Sequence, residues 1–455
     1  MIEKSKILFV PAYYNNADQG WVNNFLEKGK ETLDKLNLDC TQTSPLSDLD
    51  SIETIKFESK KQNYDVLIIY LITWIDPNVA VDLALKLKEY PAIIWCSDYR
   101  VIDDKKQQTG AFAAFLPIKG SFEQLNFNAV YLYDAFAKTN TASELSGMVR
   151  AASAVSKLKT AKAAMVGNTA LGIYPGMVHP LQIKKLFGTE IIFLDNYTLI
   201  ELCKKNLGQP DLDKQSEILF KNFKFTESIS EKQKHLCISM IHAIKELVKR
   251  NKLSAISLKC CYELAVNFGF APCVPLSILS DECVTSCECD IPVTITQLIL
   301  SYLTQQASPY ADLLIMEEFC IHCACCGFGA FKYASGNLRQ IGCSQTGQNE
   351  NELTFNRVIN NSQYEPGVYT LARLNVLENQ KPYLQIILGE HTNDSGPFCE
   401  FGCKQYQNLS LRVKQPTSEI IEKIGSQHFA VMQGDVTNLI MHFCTFMGIE
   451  IKTFC

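Results

Sequence analysis

Two carboxylates and one imidazole, those of Glu288, Asp312 and His428, form a plausible set of ligands for a divalent metal ion. Such a set offers oxygen and nitrogen ligands and leaves coordination positions open for water or a substrate. Mn²⁺ or Mg²⁺ would suit these ligands. Sequence spacing does not show that the three side chains converge, so at this stage the metal site is a hypothesis.

Glu288 lies directly before a segment with helical periodicity. Beyond it, apolar residues recur at the spacing of one helix face, at Ile295, Leu298, Ile299, Tyr302 and Leu303. Asp290 is a natural N-cap and Pro292 is tolerated in a first turn, so a helix is predicted to begin there. A carboxylate just before a helix N-terminus is favoured in its ionised form. The alternative is that Glu288 and Asp290 only cap the helix.

Asp312 and His428 both lie at the edges of predicted strands. Asp312 precedes the run Leu313–Met316, and His428 precedes the apolar run Phe429–Met432. Acids and imidazoles are common at strand edges for structural reasons. A purely structural role is therefore the alternative for each residue.

The elements that must position these residues alternate between strand and helix through the first two thirds of the chain. The first strand-like runs are Lys6–Tyr13, Tyr64–Thr73, Ala92–Cys96, Ala129–Tyr133 and Ala161–Val166. Nearly continuous apolar runs of this kind are typical of parallel strands buried on both faces. The same rhythm continues with Pro180–Phe187 as a helix, Glu190–Leu194 as a strand, Glu231–Lys249 as a helix and Ala255–Lys259 as a strand.

From about Pro309 the pattern changes to short β-type runs separated by glycine, asparagine and proline. The predicted fold class is therefore α/β, with two doubly wound α/β domains followed by a mostly antiparallel, β-rich C-terminal domain. The predicted domains are residues 1–170, residues 171–303 with Glu288, and residues 304–455 with Asp312 and His428.

The composition argues against polyanionic partners. The net charge is −5 and no dense stripe of lysine and arginine is present, so we expect no nucleic acid and no membrane as a partner. The longest apolar stretches, such as Val66–Ile75, have about half of the ~20 residues that a bilayer requires. The apolar run in Met1–Val10 is too short for a signal peptide. A cytoplasmic location is therefore expected.

Four landmarks in the right order resemble the L-fucose isomerase/L-arabinose isomerase-like family. Residues 287–290 (Cys-Glu-Cys-Asp) resemble the family's Cys-Glu-Gly-Asp type segment. Asp312 follows Glu288 by 24 residues (312 minus 288), as in the family. The third landmark is the strand 367–375 with its Arg373-Leu pair, and the fourth is Gln427-His428 followed by Gly434-Asp435.

This resemblance implies a metal-dependent aldose–ketose isomerase. Glu288 and Asp312 would be metal ligands and also the acid/base pair that moves a proton between C1 and C2 through a cis-enediol. His428 would be the third protein ligand to Mn²⁺ or another divalent cation such as Mg²⁺, and Gln427 would contact a substrate hydroxyl. The partner would be a small-molecule sugar, and the assembly a homo-oligomer, a trimer or a hexamer.

The sequence departs from the family pattern at several places. Cys289 stands where the family has a small residue, and Ile291-Pro292 replaces a commoner Asn-Gly. Residues 321–326 replace a stretch that often contains His-Cys-Gly. These departures indicate a cysteine-rich, divergent member acting on a pentose, a 6-deoxyhexose or a modified hexose. The first alternative is a non-catalytic sugar-binding protein on the same scaffold.

Nineteen cysteines supply the second alternative, a zinc or iron–sulfur protein. The possible soft-metal or redox cysteines are Cys287, Cys289, Cys320, Cys323, Cys325 and Cys326, which Cys399 and Cys403 could join. Dense thiolate sets can hold zinc or an iron–sulfur cluster. Neither the paired Cys-x-x-Cys of a zinc ribbon nor a ferredoxin run is present, so reduced cysteines acting as small buried hydrophobes are the simpler interpretation.

Overall fold

The computed structural model describes residues 4–97, 99–102, 105–134, 140–260, 264–325, 327–346, 355–377, 380–392 and 408–454. The chain divides into two compact units, Met1–Lys159 with Asn438–Ile449, and Thr160–Thr437 with Glu450–Cys455. All three tryptophans, Trp21, Trp74 and Trp95, belong to the first unit. The division into three domains at residues 170 and 303 stays a prediction.

The described strands and helices are numbered in chain order. The strands are β1 (Lys6–Ala12), β2 (Asp39–Gln42), β3 (Val66–Leu71), β4 (Ala92–Ser97), β5 (Tyr99–Ile102), β6 (Lys105–Gln108), β7 (Ala129–Asp134), β8 (Lys162–Val166), β9 (Glu190–Leu194), β10 (Lys224–Phe225), β11 (Ala255–Leu258), β12 (Val284–Cys287), β13 (Tyr310–Glu317), β14 (Cys320–Ala324), β15 (Gln340–Thr346), β16 (Phe355–Asn360), β17 (Gly367–Asn375), β18 (Tyr383–His391), β19 (Asn408–Arg412), β20 (His428–Gln433) and β21 (Glu450–Phe454). The helices are α1 (Gln19–Asp34), α2 (Leu49–Glu58), α3 (Pro77–Lys86), α4 (Ala111–Gln124), α5 (Thr141–Thr160), α6 (Pro180–Phe187), α7 (Asn196–Leu207), α8 (Leu212–Phe220), α9 (Glu231–Asn251), α10 (Ala265–Asn267), α11 (Cys273–Leu279), α12 (Ile291–Thr304), α13 (Thr417–Ile421) and α14 (Thr437–Met447).

The first unit is built on a parallel sheet in the order β2-β1-β3-β4-β7. Every residue of β3 and of β4 is buried, as expected for central parallel strands covered on both faces. Leucine and isoleucine side chains of these strands, among them Leu67, Ile69 and Ile94, form a core cluster with helices α2, α3 and α4. The doubly wound arrangement predicted for this part of the chain is confirmed.

The second unit contains a parallel sheet in the order β12-β11-β8-β9. Because its strands are parallel, the ends of β8, β11 and β12 lie at the same edge of the sheet. Ligand-binding residues of open α/β sheets lie characteristically beyond this carboxyl edge. Glu288 follows β12 directly and therefore lies at that edge.

The second unit also contains the β-rich part of the chain. Its sheet runs in the order β17-β20-β13-β14-β19-β18-β21, and an additional pairing of β17 with β18 closes six of these strands into a ring. Within that sheet the described pairings are antiparallel, apart from the parallel pair β18 and β21. The mostly antiparallel C-terminal sheet predicted from the sequence is confirmed.

The structure agrees closely with several predicted elements and adds others. The helix Pro180–Phe187 and the strand Glu190–Leu194 have the predicted bounds. The polar segment between Leu207 and Glu231 carries a helix, α8, and a two-residue strand, β10. Among the helices that the structure describes, none combines the length and the apolar character needed to cross a bilayer.

Candidate metal centre

Glu288 lies in the tight corner between β12 and α12. Glu288 and Cys289 both adopt left-handed backbone conformations, with φ of 66° and 54°. Such residues cost on the order of 1–3 kcal/mol each and persist where the surrounding structure holds them. Here the backbone N–H of Glu288 donates to the Leu258 carbonyl at 2.9 Å, and its carbonyl accepts from the Ala170 N–H at 3.0 Å. Backbone contacts on both sides therefore fix the direction of the Glu288 side chain.

Asp312 and His428 are brought together by strand pairing. They are direct partners in the antiparallel ladder of β13 and β20. Residues opposite each other in such a ladder have Cβ atoms roughly 5 Å apart. The His428 Nε2 atom lies 3.0 Å from Asp312 Oδ1 and 3.2 Å from Glu288 Oε2. The structure therefore brings together all three residues that the sequence singled out.

Asp290 supports His428 from the other side of the ring. Its Oδ2 atom lies 3.0 Å from His428 Nδ1 and 3.0 Å from Arg373 Nη1, while its Oδ1 accepts from the Val293 N–H at 2.9 Å. A carboxylate only accepts hydrogen bonds, so Nδ1 of His428 carries a proton. Asp290 thus caps α12 as predicted, and it also fixes the orientation of the His428 ring.

Arg373 contacts both Asp290 and the backbone of His428. The guanidinium pairs with Asp290, and it donates to the His428 carbonyl at 2.9 Å and to the Pro175 carbonyl at 3.0 Å. The side chain is 1% exposed, so the charges of Arg373 and Asp290 are removed from water together. A buried pair of this kind is strongly destabilising to break, because the remaining charge is left without a partner.

The protonation of the centre reflects a balance between burial and the charged partners of each group. Burial raises the pKa of Glu288 and of Asp312, although the hydrogen bonds to His428 oppose this effect. Burial lowers the pKa of His428, but its hydrogen bonds to Asp290, Asp312 and Glu288 outweigh burial and raise the pKa to about 12. Burial also opposes the ionisation of Asp290, but Arg373 and His428 outweigh it and lower the pKa of that carboxyl.

The donor set fits a divalent cation. One oxygen each from Glu288 and Asp312 and one nitrogen of His428 lie within 4.8 Å of one another. Because Asp290 engages Nδ1 of His428, the other ring nitrogen, Nε2, is the one directed at the two carboxylates. In protein metal sites, a ligating histidine commonly donates the N–H of its other ring nitrogen to a carboxylate that does not bind the metal. The three side chains could hold Mn²⁺ or Mg²⁺, while Asp290 would orient His428.

Gln427 borders this group. Its Nε2 atom lies 3.2 Å from His428 Nε2, and its side chain is half-buried. An amide at that place has hydrogen-bonding capacity to offer to a small polar molecule next to the carboxylates. Its predicted contact with a substrate hydroxyl stays a prediction.

The cysteines proposed as one soft-metal set are distributed among different places. The Cys289 thiol is directed at the Val166 and Ser257 carbonyls, and the Cys323 thiol at the Leu409 carbonyl. Cys320 lies with Glu317 and His322 in the β13–β14 hairpin. Cys326, Cys399 and Cys403 lie outside the described residues.

Cys287 and Cys325 do lie together, and a cysteine that sequence reasoning missed joins them. The Sγ atoms of Cys260 and Cys287 are 2.7 Å apart, and Cys325 also makes a hydrogen bond with Cys287. Cys260 was not singled out because no motif surrounds it. The usable signal was its position just beyond β11, at the sheet edge that also carries Glu288.

Sequence reasoning also missed Tyr310. Its ring meets the His428 ring edge-on, with centroids 5.2 Å apart. The hydroxyl is buried and has no hydrogen-bond partner among the described residues. A buried hydroxyl normally finds a partner, so Tyr310 is a candidate neighbour of whatever occupies the centre.

Comparison with known proteins places the C-terminal part of the chain. Residues 329–454 match the family described as L-fucose isomerase, C-terminal domain. The sulfoquinovose isomerase of Priestia aryabhattai is 26% identical over 227 residues, which are 46% of this chain and 46% of that protein. The sulfoquinovose isomerase of Alkalicoccus urumqiensis is 22% identical over 309 residues, 65% of each protein.

These similarities have a limited extent. The chain spans about half the length of the Priestia relative that it matches. An arabinose binding protein from Geobacillus stearothermophilus, at 11% identity, covers 62% of this chain and 81% of its own, but its TM-score of 0.18 is too low to support an argument. Residues 329–454 therefore carry the match to the L-fucose isomerase C-terminal domain family, and the chain shows distant homology to sulfoquinovose isomerases.

Proposed function

We propose that this chain is an aldose–ketose isomerase that requires a divalent cation and acts on a pentose, a 6-deoxyhexose or a modified hexose. The observation that carries the proposal is the convergence of Glu288, Asp312 and His428, with His428 Nε2 at 3.2 Å and 3.0 Å from the two carboxylates. The family of residues 329–454 supports the same reaction class. The name of the homologues makes sulfoquinovose, a modified hexose, the first sugar to test.

Glu288 and Asp312 would move the proton in this reaction. Aldose–ketose isomerisation through a cis-enediol removes a proton from one of the carbons C1 and C2 and returns one to the other. In the protein without a cation, burial raises the pKa of both carboxyls. Of two neighbouring carboxylates, one can accept the proton from the sugar carbon, and the other can exchange protons with the sugar oxygens.

The candidate centre would bind a cation beside the sugar. Its ligands would be Glu288, Asp312 and His428, to which Mn²⁺ or Mg²⁺ is suited. When bound, such a cation supplies polarisation of the sugar carbonyl, which acidifies the neighbouring C–H bond. Asp290 would keep the His428 ring oriented, and Gln427 would contact a sugar hydroxyl.

The deciding experiment measures Mn²⁺-dependent ketose formation by the wild type and by Glu288→Gln. The substitution keeps the size of the side chain and removes its basicity, so turnover is expected to fall by roughly 10²–10⁴-fold. The sugars are sulfoquinovose, pentoses, 6-deoxyhexoses and hexoses. The matched control is Glu318→Gln, an exposed glutamate, which is expected to keep wild-type turnover.

Two results would contradict the proposal. One is the absence of turnover on every sugar by a folded, Mn²⁺-loaded wild type. The other is equal turnover by Glu288→Gln and the wild type, which would place the chemistry elsewhere. Sugar binding without turnover would favour the alternative of a non-catalytic sugar-binding protein.

The proposal extends to assembly and location. By the same resemblance we propose a homo-oligomer, a trimer or a hexamer, that works in the cytoplasm. Light scattering coupled to size exclusion gives the mass of the assembly directly. If an active sample has the mass of a monomer, the proposed oligomeric state is wrong.

A further inference from the structure

Three buried thiols lie beside Glu288 without belonging to the donor set of the candidate metal centre. Cys260 is 4% exposed, Cys287 is 2% exposed and Cys325 is 1% exposed. They arrive from different elements, since Cys260 follows β11, Cys287 ends β12 and Cys325 follows β14. Three separate segments of backbone therefore converge to place these sulfur atoms together.

Three of the four proposed ligand atoms, those of Cys260, Cys287 and Glu288, are close enough for one ion. The Sγ atoms of Cys260 and Cys287 are 2.7 Å apart, and these two sulfurs and a carboxylate oxygen of Glu288 lie within 4.8 Å of one another. Cys325 makes a hydrogen bond with Cys287, which brings a third sulfur to the group. The buried Tyr310 hydroxyl, which has no hydrogen-bond partner among the described residues, is a further polar group next to Cys287 and Cys325.

Three thiolates and one carboxylate form a ligand set for a thiophilic cation. Zinc prefers four ligands in a tetrahedron with Zn–S distances of about 2.3 Å, which places two sulfurs about 3.8 Å apart. Cys260 and Cys287 would have to separate by about 1 Å, a change within reach of side-chain rotation. The set also differs from that of the neighbouring centre, because soft thiolates select zinc-like ions while carboxylates suit manganese and magnesium.

We propose that Cys260, Cys287 and Cys325, together with Glu288, form a second cation site that takes a thiophilic divalent ion of the zinc class. Glu288 is shared by the two sites. Binding of the thiophilic ion therefore withdraws Glu288 from its partnership with Asp312 and His428. On the proposed function, on which this step rests, zinc inhibits the isomerase reversibly while manganese supports it.

The experiment titrates Co²⁺, a spectroscopic substitute for zinc, into metal-free protein kept under a thiol-free reductant. Coordination by thiolates gives an intense near-ultraviolet charge-transfer absorption, which carboxylate and imidazole ligands do not give. We expect this band to saturate at one equivalent and to disappear when Zn²⁺ is added. Neither reading depends on enzymatic activity.

Matched variants assign the ligands. Cys260→Ser and Cys325→Ser are each expected to lower Co²⁺ affinity by at least about 100-fold. Removing a residue that only hydrogen-bonds to a metal ligand already lowers metal affinity roughly 10–100-fold. Cys323→Ser is the control, because that buried thiol contacts the Leu409 carbonyl instead. Asp312→Asn is expected to retain the band while losing Mn²⁺ binding.

The proposal is overturned if reduced wild-type protein shows no charge-transfer band, or if both cysteine variants retain it. It is equally overturned if peptide mapping of the unreduced protein finds Cys260 linked to Cys287, with no ion bound after reduction. That result would make Cys260 and Cys287 a disulfide pair and no ion site. A band in a protein without isomerase activity would separate this site from the proposed function.

Discussion

Asp290 accepts three hydrogen bonds at a position without solvent exposure. Its donors are the Val293 N–H, the Arg373 guanidinium and Nδ1 of His428. Each donor has a separate consequence, since the first starts α12, the second balances charge and the third orients a metal ligand. One carboxylate therefore couples the stability of the fold to the geometry of the candidate centre.

Asp290→Asn tests this coupling. The amide cannot balance the Arg373 charge, and it is a weaker acceptor for His428. We expect the free energy of unfolding to fall by about 3–5 kcal/mol and Mn²⁺ affinity to fall roughly 10–100-fold. Chemical denaturation and calorimetric titration measure the two effects.

Asp195→Asn is the control for this change. Asp195 is the exposed N-cap of α7 and accepts from the Tyr197 N–H at 2.8 Å. Asparagine is an equally good N-cap, so neither quantity is expected to change appreciably. Unchanged Mn²⁺ affinity in Asp290→Asn would show that His428 does not depend on Asp290.

Cys289 offers a second test at the scale of single residues. Glycine would relieve about 1–2 kcal/mol of left-handed strain, but it would lose the buried thiol and gain flexibility in the unfolded chain. We therefore expect Cys289→Gly to stay within about 1 kcal/mol of the wild type. Cys289→Val is expected to cost at least about 2 kcal/mol, because a β-branched residue resists φ near 54°.

Urea denaturation of the two Cys289 variants measures the difference. The thiol contacts the Val166 and Ser257 carbonyls at 3.3 Å and 3.4 Å, and both variants lose these contacts. The difference between the variants therefore does not arise from the loss of these contacts, and the left-handed conformation is its main expected source. Equal stabilities would contradict the left-handed geometry assigned to the corner before α12.

At the scale of elements, helix α14 carries a titratable group that the candidate centre does not use. Burial lowers the pKa of His442, although Glu144 opposes the shift. A lowered pKa means that the unfolded chain binds the proton more readily than the folded one. The contribution of His442 to stability is therefore present above its unfolded pKa, and it is lost as the pH falls through the folded pKa.

This predicts a pH-dependent loss of stability that His442→Gln removes. Histidine NMR should show His442 titrating below its ordinary value of about 6.5. Denaturation at pH 7.5 and at pH 5 should show a smaller difference for His442→Gln than for the wild type. A titration midpoint above the ordinary value would contradict the burial assigned to this side of α14.

How far the sequence predicted these elements depends on which force decides each one. Continuous apolar runs such as the one within Tyr64–Thr73 identified central strands, because burial on both faces leaves a clear pattern. The N-cap at Asp290 was predictable because a local hydrogen bond determines it. The short strand Lys224–Phe225 was not predicted, because its pairing with β15 depends on a distant segment.

The same distinction applies to the candidate centre. Glu288, Asp312 and His428 could be identified from their residue types and from the family that the surrounding segments resemble. The link from Arg373 through Asp290 to His428 depends on side chains that are 83 and 138 residues apart along the chain. The cluster with Cys260 likewise required the order of the parallel strands, which no local pattern contains.

At the scale of the whole molecule, the proposed ligands all belong to the second unit. Bound Mn²⁺ should therefore slow backbone hydrogen exchange in β13 and β20, because a ligand that binds only the folded state stabilises it by mass action. Mass spectrometry of peptic fragments measures the effect. In Asp312→Asn, protection in these strands should no longer respond to Mn²⁺, and a preserved response would place the ion elsewhere.

The distribution of tryptophan has a practical consequence for screening. Trp21, Trp74 and Trp95 are the only intrinsic indole fluorophores of the chain, and all of them lie in the first unit. A melting assay based on their emission therefore samples a unit that contributes no proposed ligand. A reporter placed in the second unit, for example by Phe319→Trp at an exposed position, would sample the unit that carries the proposed ligands directly.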